Sequence, residues 1–501
     1  VRTALSPEQE AALDTGETFT LTATNTGGTA AVGTATVKDD GTGSYFAAGN
    51  TTGTPSLPAG TVLDDDRLLS VNNLTVNEGS PYAVFTVSGA AGQLASLTLT
   101  NGTTTGITGL QYFDGSTWQT YTSTVALDST GKLLVRTALS PEQEAALDTG
   151  ETFTLRATNT GGTAATGTAT VKDDGTGDYF AADNTTGTNS LPAGVQLDDD
   201  RPLAVTSPTV NEGSPYTVFT VSGAAGQLAT LSLANGTTTG LNGLQVYLNG
   251  AWTSYTSGTV ALDANGKLLV RTALSPEQEA ALDTGETFTL TATNTGGTAA
   301  TGTATVKDDG TGDYFAADNT TGSHSLPAGT LLDDDRPLSV NSLTVAENLG
   351  PATFTVSGVA GQYVRLEVQS TGSGSGDATV SGTGADVGAT LQYYDGSAWQ
   401  TYTAGSFVLI PTGGNLQVRV PITRDSLVES NETFRLAAFN TGTASGSGVG
   451  TITDYAPVLT TVNTVADEAG GTSNSFGAND PSGDLVTDNT MTLVSVANAG
   501  R

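Results

Sequence analysis

The string VRTALSPEQEAALDTGETFTL begins at Val1, again at Val135 and again at Val270, a period of 134 and then 135 residues. A diverged copy, VRVPITRDSLVESNETFRL, begins at Val418, delayed by a Gly/Ser-rich insertion around residues 370–388. This period decides the architecture. Solenoid units of roughly 20–50 residues bury their apolar faces only by stacking on neighbours. A unit of about 134 residues is large enough to carry its own core, so the chain reads as a string of beads. Other landmarks keep the spacing: Asp-Asp-Asp-Arg ends at Arg67, Arg201 and Arg336, and one tryptophan per bead stands at Trp118, Trp252 and Trp399. Cutting at the Asp-rich run gives the later part of a bead (1–66), complete beads at 67–200 and 201–335, a diverged complete bead at 336–454, and the start of a different module at 455–501.

Within a bead the pattern is all-β. AVFTVSG, SLTLTNG, TFTLTATNTGG and GTATVKDD alternate apolar and small polar residues, with Thr and Val suited to a half-buried pleated surface. Asn-Gly, Asp-Gly and Gly-Gly supply turns. About seven short strands between turns predict an immunoglobulin-like two-sheet sandwich, repeated as an elongated tandem array. One short helix per repeat is expected at Ser6, Ser140 and Ser275, where Ser-Pro-Glu-Gln-Glu offers an N-cap, a first-turn proline and early acid. The Gly/Asn/Pro-rich stretch 41–60 and its copies read as an ordered connector, with Tyr45-Phe46, Tyr179-Phe180 and Tyr314-Phe315 as anchors onto a neighbour. Because the sequence starts in mid-bead, strand addition from another copy is one expectation for residues 1–66. The other is completion by preceding repeats of a longer chain, and the intact mass separates the two.

Composition excludes whole classes of function. Seventeen Lys and Arg against fifty Asp and Glu give a net charge of −33, the wrong sign for a partner of nucleic acid. With no Cys and a single histidine, His324, there is no disulfide framework, Cys/His zinc site or thiol chemistry. No apolar run is long enough for a membrane span. Carboxylate pairs that recur in every bead argue against an enzyme, whose active site occurs once.

The acid collects at strand ends, which in a sandwich are the poles. Beside the first strand stand Glu78, Glu212 and Glu347. Before the ETF triplet stand Glu10, Asp14 and Glu17; Glu144, Asp148 and Glu151; Glu279, Asp283 and Glu286; and Asp425, Glu429 and Glu432, with Asp386 in the insertion. The closing strand ends in Asp39-Asp40, Asp173-Asp174 and Asp308-Asp309, and in a single Asp454 in the last bead. The junctions carry Asp64, Asp65 and Asp66; Asp198, Asp199 and Asp200; and Asp333, Asp334 and Asp335. Two like charges ~4 Å apart cost about 4 kcal/mol at an effective dielectric near 20, and each junction has one nearby arginine. Oxygen ligands in such numbers suit calcium, which accepts six to eight.

The glutamate after the first strand, the D-x3-E-x2-E-T-F stretch at Asp425, Glu429 and Glu432, and the closing TATVKDD strand resemble the Calx-beta sandwich. More narrowly, SVNNLTVNEGSPYAVFTVSG, LQYFDGSTWQTYT and TATNTGGTA resemble repeats of giant bacterial RTX-type adhesins, over roughly residues 1–454. The resemblance implies calcium at the poles and between domains, export by type I secretion and an extracellular place on the bacterial surface or matrix. Two departures stand out: Ser-Pro-Glu-Gln-Glu replaces the usual acidic loop in the earlier repeats, and the last bead closes on one aspartate. The expected function is a calcium-stiffened structural section whose partners are neighbouring repeats and other copies of itself. The alternative is a cell-surface or glycan-binding module built on Trp118, Trp252 and Trp399 with Tyr121, Tyr255 and Tyr402.

Overall fold

A computed structural model describes residues 1–5, 16–104, 107–139, 150–238, 241–274, 285–372, 374–424, 429–442, 444–455, 459–463 and 492–496. The expected helix at Ser6, Ser140 and Ser275 lies outside the described residues. Among those described, no helix is long and apolar enough to cross a membrane.

In the first complete bead the alternation of the sequence becomes two facing sheets. After β1 (Thr18–Thr24) and β2 (Ala30–Thr36), which pair with each other, come β3 (Ser70–Val71), β4 (Leu74–Asn77), β5 (Tyr82–Ser88), β6 (Leu94–Asn101), β7 (Thr108–Phe113), β8 (Trp118–Thr120), β9 (Val125–Ala126), β10 (Lys132–Ala138), β11 (Thr152–Thr158) and β12 (Ala164–Lys172). One sheet runs β3-β5-β10-β7-β8 and the other β4-β12-β11-β6-β9. Phe153, Leu155 and Ala157 of β11 point inward and are fully buried, while Thr154 and Arg156 between them face outward. Phe85 of one sheet meets Phe153 of the other edge-to-face at 5.9 Å, which closes the core in a favoured aromatic geometry. Residues 204–307 and 339–453 repeat the strand order, with Phe219–Phe288 and Phe354–Phe434 in the same place. The chain is thus a tandem array of immunoglobulin-like β-sandwiches.

Two strand contacts prepare the functional site. β4 and β12, the first and last strands of their sheet, pair in parallel, with Val76 opposite Val171. Both therefore end at one pole, where Asn77-Glu78 meets Lys172-Asp173-Asp174. From there the connector loops away and returns to the same pole, because Asp174 and Asp199 form an antiparallel bridge. Its aromatic anchor grips its own bead rather than the neighbour expected from sequence: Phe180 is 2% exposed within the bead core, and its amide donates to Ser80 Oγ.

The N-terminal hairpin β1–β2 keeps the register of β11–β12. Phe19 and Leu21 are 39% and 49% exposed, whereas their counterparts Phe153 and Leu155 are fully buried. Residues Leu459–Asn463 and Thr492–Val496 form a separate antiparallel pair.

Candidate metal centres at the bead junctions

Each complete bead brings three acids together from distant parts of the chain. Carboxylate oxygens of Glu78, Asp198 and Asp200 all lie within 4.8 Å of one another, as do those of Glu212, Asp333 and Asp335. The scaffold is a buried asparagine. Asn77 donates to the carbonyls of Lys172, Thr176 and Asp198, and accepts from the amides of Gly79 and Asp198. Asn211 repeats the three donations and the same two acceptances around Asp333. Sequence reasoning passed over these asparagines, although TVNEG recurs with the glutamate beside each of them.

The three aspartates of a junction divide their roles. The middle one is held by arginine: Arg201 donates from Nε and Nη2 to the two oxygens of Asp199, at 2.8 and 2.5 Å, and Arg67–Asp65 and Arg336–Asp334 match it. The third faces two ways. Asp200 belongs to the cluster of its own bead, yet Thr298 of the next bead donates to its Oδ1 at 3.3 Å. The next bead's Asn294-Thr-Gly-Gly loop wraps this end: Asn294 Nδ2 donates to the Arg201 carbonyl and the Gly296 amide to the Asp199 carbonyl. Asn159 and Asn440 bind the carbonyls of Arg67 and Arg336 in the same way. A Cβ on Gly161, Gly296 or Gly442 would overlap Oδ1 of Asp66, Asp200 or Asp335, so this loop needs glycine to approach the carboxylate.

Electrostatics mark the clusters as short of positive charge. Burial, then the charges of Asp200, Asp173 and Asp199, push Asp198 up to about 6. Burial with Asp335, Asp308 and Asp334 does the same to Asp333, also to about 6. Asp66 is raised by burial and by Asp64, Asp39 and Asp65, and its Oδ1 is buried without a hydrogen-bond partner. Oxygens bound to one calcium at 2.3–2.6 Å lie at most ~5 Å apart, so the observed spread fits a shared ion. The donor set is all oxygen, which suits a hard cation.

The remaining sequence candidates fall elsewhere. Asp39, Asp173 and Asp308 are buried beside the clusters. Asp40, Asp174 and Asp309 are engaged locally, by Thr42, Thr176 and Thr311 and by the lysine two residues before each. Glu17, Glu151 and Glu286 stand outside the three-acid groups. Glu10, Asp14, Glu144, Asp148, Glu279, Asp283 and Asp425 lie outside the described residues. The diverged bead builds its group differently. Asp386, Glu429 and Glu432 converge within 4.8 Å, and Glu347 and Asp454 complete the wall of the same small pocket. There Ala346 stands where the other beads have asparagine, and the last strand runs to Thr453 with no connector bridge of the earlier kind among the described residues.

The tryptophans do not form a shared platform with the tyrosines. The Trp118 indole donates to the Asn184 carbonyl of the connector, and Arg136 lies between the rings of Tyr82 and Trp118, 3.9 and 4.3 Å from their centroids. Tyr121 is turned to the other side, where its hydroxyl accepts from the Leu97 amide. Trp252, Arg271 and Tyr255 repeat this arrangement, and Tyr402 is buried.

No protein-family model and no curated protein matches the chain. Among solved structures it is similar to a tetra-tandem repeat in the extending region of a large adhesion protein, at 14% identity and a TM-score of 0.26, covering 80% of this chain and 78% of that one. It is also similar to part of mouse cadherin-23, at 14% identity and a TM-score of 0.23, covering 78% of this chain and 99% of that one. A titin I-band fragment is similar at 10% identity and a TM-score of 0.22, covering 78% of this chain and 98% of that one.

Proposed function

We propose that this chain is a structural section of an extracellular bacterial surface or matrix protein, in which calcium at the bead junctions stiffens a string of sandwiches. The observation that carries the reading is the convergence of Glu78, Asp198 and Asp200, and of Glu212, Asp333 and Asp335, at the place where one bead meets the loop of the next. Bound calcium would neutralise the charge that raises Asp198 and Asp333, and would tie Asp200 to its own bead while the next bead holds the same residue. A joint fixed from both sides bends less. The repetition of one junction along the chain suits a mechanical role better than a single chemistry, and we assign no enzymatic activity.

Equilibrium binding tests the proposal: the whole chain, stripped with chelator and titrated with calcium chloride in a calorimeter, should show saturable sites. Replacing Glu78 and Glu212 by glutamine should reduce their number. A titration with no heat beyond dilution overturns the calcium assignment.

A further inference from the structure

We propose that each connector is a reserve of chain length held outside the path of tension and released before the sandwich unfolds. The inference rests on the mechanical reading above, and three observations carry it. First, the connector begins and ends at one point. Asp174 bridges Asp199, with the Asp200 amide donating to the Asp173 carbonyl and the Gly175 amide to the Asp198 carbonyl, both at 2.8 Å. Asp40–Asp65 and Asp309–Asp334 close the other two connectors in the same way. Tension arriving from the next bead at Arg201 therefore crosses to β12 through this base, and the loop between carries none while the base holds.

Second, the two structures in series meet that tension in different geometries. The base is a two-bond antiparallel stem pulled at its open end, so its hydrogen bonds break one after another. β4 and β12 are parallel and in register from Leu74–Ala169 to Asn77–Lys172. Pulling on the two ends of the bead shears that pair, and its bonds must fail together. The base yields first.

Third, the connector lies on the bead through a few separable contacts. In the first complete bead these include Phe180 in the core with its amide on Ser80 Oγ, the backbone bonds of Asp178 with Thr75 and Asn77, the Asn77 side-chain bonds to Thr176 and Asp198, Arg136 Nη1 to the Ala182 carbonyl, and the Trp118 indole to the Asn184 carbonyl. Releasing the 24 residues between the bridged positions adds roughly 80 Å at ~3.3–3.6 Å per residue, and both sheets stay paired.

Single-molecule stretching of the whole chain tests this. The expected trace has short steps of roughly 80 Å, each preceding the several-fold longer step of a sandwich. Replacing Asp174→Cys and Asp199→Cys puts a disulfide across a closely spaced pair in a chain with no other cysteine. Oxidation should remove one short step, and reductant should restore it. The pair Asp309→Cys with Asp334→Cys provides the same test in the following bead should the first variant fold poorly. A trace with only long steps, in calcium and in chelator alike, overturns the reserve. The calcium reading is judged separately, by whether calcium raises the force of the short step.

Discussion

Asn77 and Asp198, 121 residues apart in sequence, hold each other through two hydrogen bonds: the Asp198 amide to Asn77 Oδ1 at 2.9 Å, and Asn77 Nδ2 to the Asp198 carbonyl at 3.0 Å. Neither partner is apolar, yet Asn77 is fully buried. Its two N–H groups are shared among three carbonyls, and its oxygen accepts from two amides, so its hydrogen-bonding capacity is fully used. Replacing Asn77→Ala would take a donor from the Thr176 carbonyl and the Asn77 acceptor from the amides of Gly79 and Asp198 at a buried pole, while the Lys172 and Asp198 carbonyls keep the amides of Glu78 and Gly175. A loss of about 2–4 kcal/mol is expected, with protease cleavage appearing first in the connector at residues 175–197. Mass spectrometry of the cleavage products locates the cut.

Removing one carboxylate should act in opposite directions with and without calcium. Asp198 is raised to about 6 by burial and by three neighbouring aspartates. Asp198→Asn relieves that repulsion, so the calcium-free protein should melt a few degrees higher than the parent, on the order of 1 kcal/mol. The same variant should lose the calcium response of that junction. Calorimetric melts of both proteins, in chelator and in calcium, give all four values.

The pH dependence should change sign in the same way. Asp198 and Asp333 hold their protons up to about 6 in the folded chain, whereas an unfolded aspartate releases its proton near 4. Between those values the folded state binds more protons, so stability falls as pH rises and the loss is complete above about 6. In chelator the melting temperature should therefore increase on going from pH 7 to pH 5. In calcium it should decrease over the same interval, because protons displace the ion. A parallel pair of pH profiles would count against a shared site.

The glycine of the wrapping loop makes a steric prediction. Gly296 sits where a Cβ would overlap Asp200 Oδ1. Gly296→Ala should push the loop from the carboxylate, weaken the Gly296 amide bond to the Asp199 carbonyl, and cost about 1–3 kcal/mol. The effect should stay in one junction. Hydrogen exchange should rise at residues 198–201 and 294–298 and remain unchanged at the equivalent positions around Asp335.

Much of this was legible in the sequence, because a β-sandwich writes its core as period two. Phe153, Leu155 and Ala157 alternate with Thr152, Thr154, Arg156 and Thr158, and all three face inward. The bead period was visible as repetition, and the acid at the poles followed from its place at strand ends. What the sequence hid was the folding-back of the connector. Its Tyr-Phe pair looked like a contact to a neighbour, yet Phe180 fills the core of its own bead. The division of labour in Asp-Asp-Asp was also hidden, since three identical side chains differ only in what backbone geometry puts opposite them: Arg201 for Asp199, and the next bead's loop for Asp200. Asn77 escaped notice because an asparagine beside a glycine reads as a turn residue.

Thermal unfolding of the whole chain decides whether the junction carboxylates are calcium ligands. An ion bound only by the folded state stabilises by mass action, about 2.7 kcal/mol at a hundredfold excess over its dissociation constant. The melting temperature should be several degrees higher in millimolar calcium than in chelator, with the gap closed by Glu78→Gln and Glu212→Gln together with neutralisation of the Asp386, Glu429 and Glu432 group. Identical melts in calcium and in chelator would contradict it.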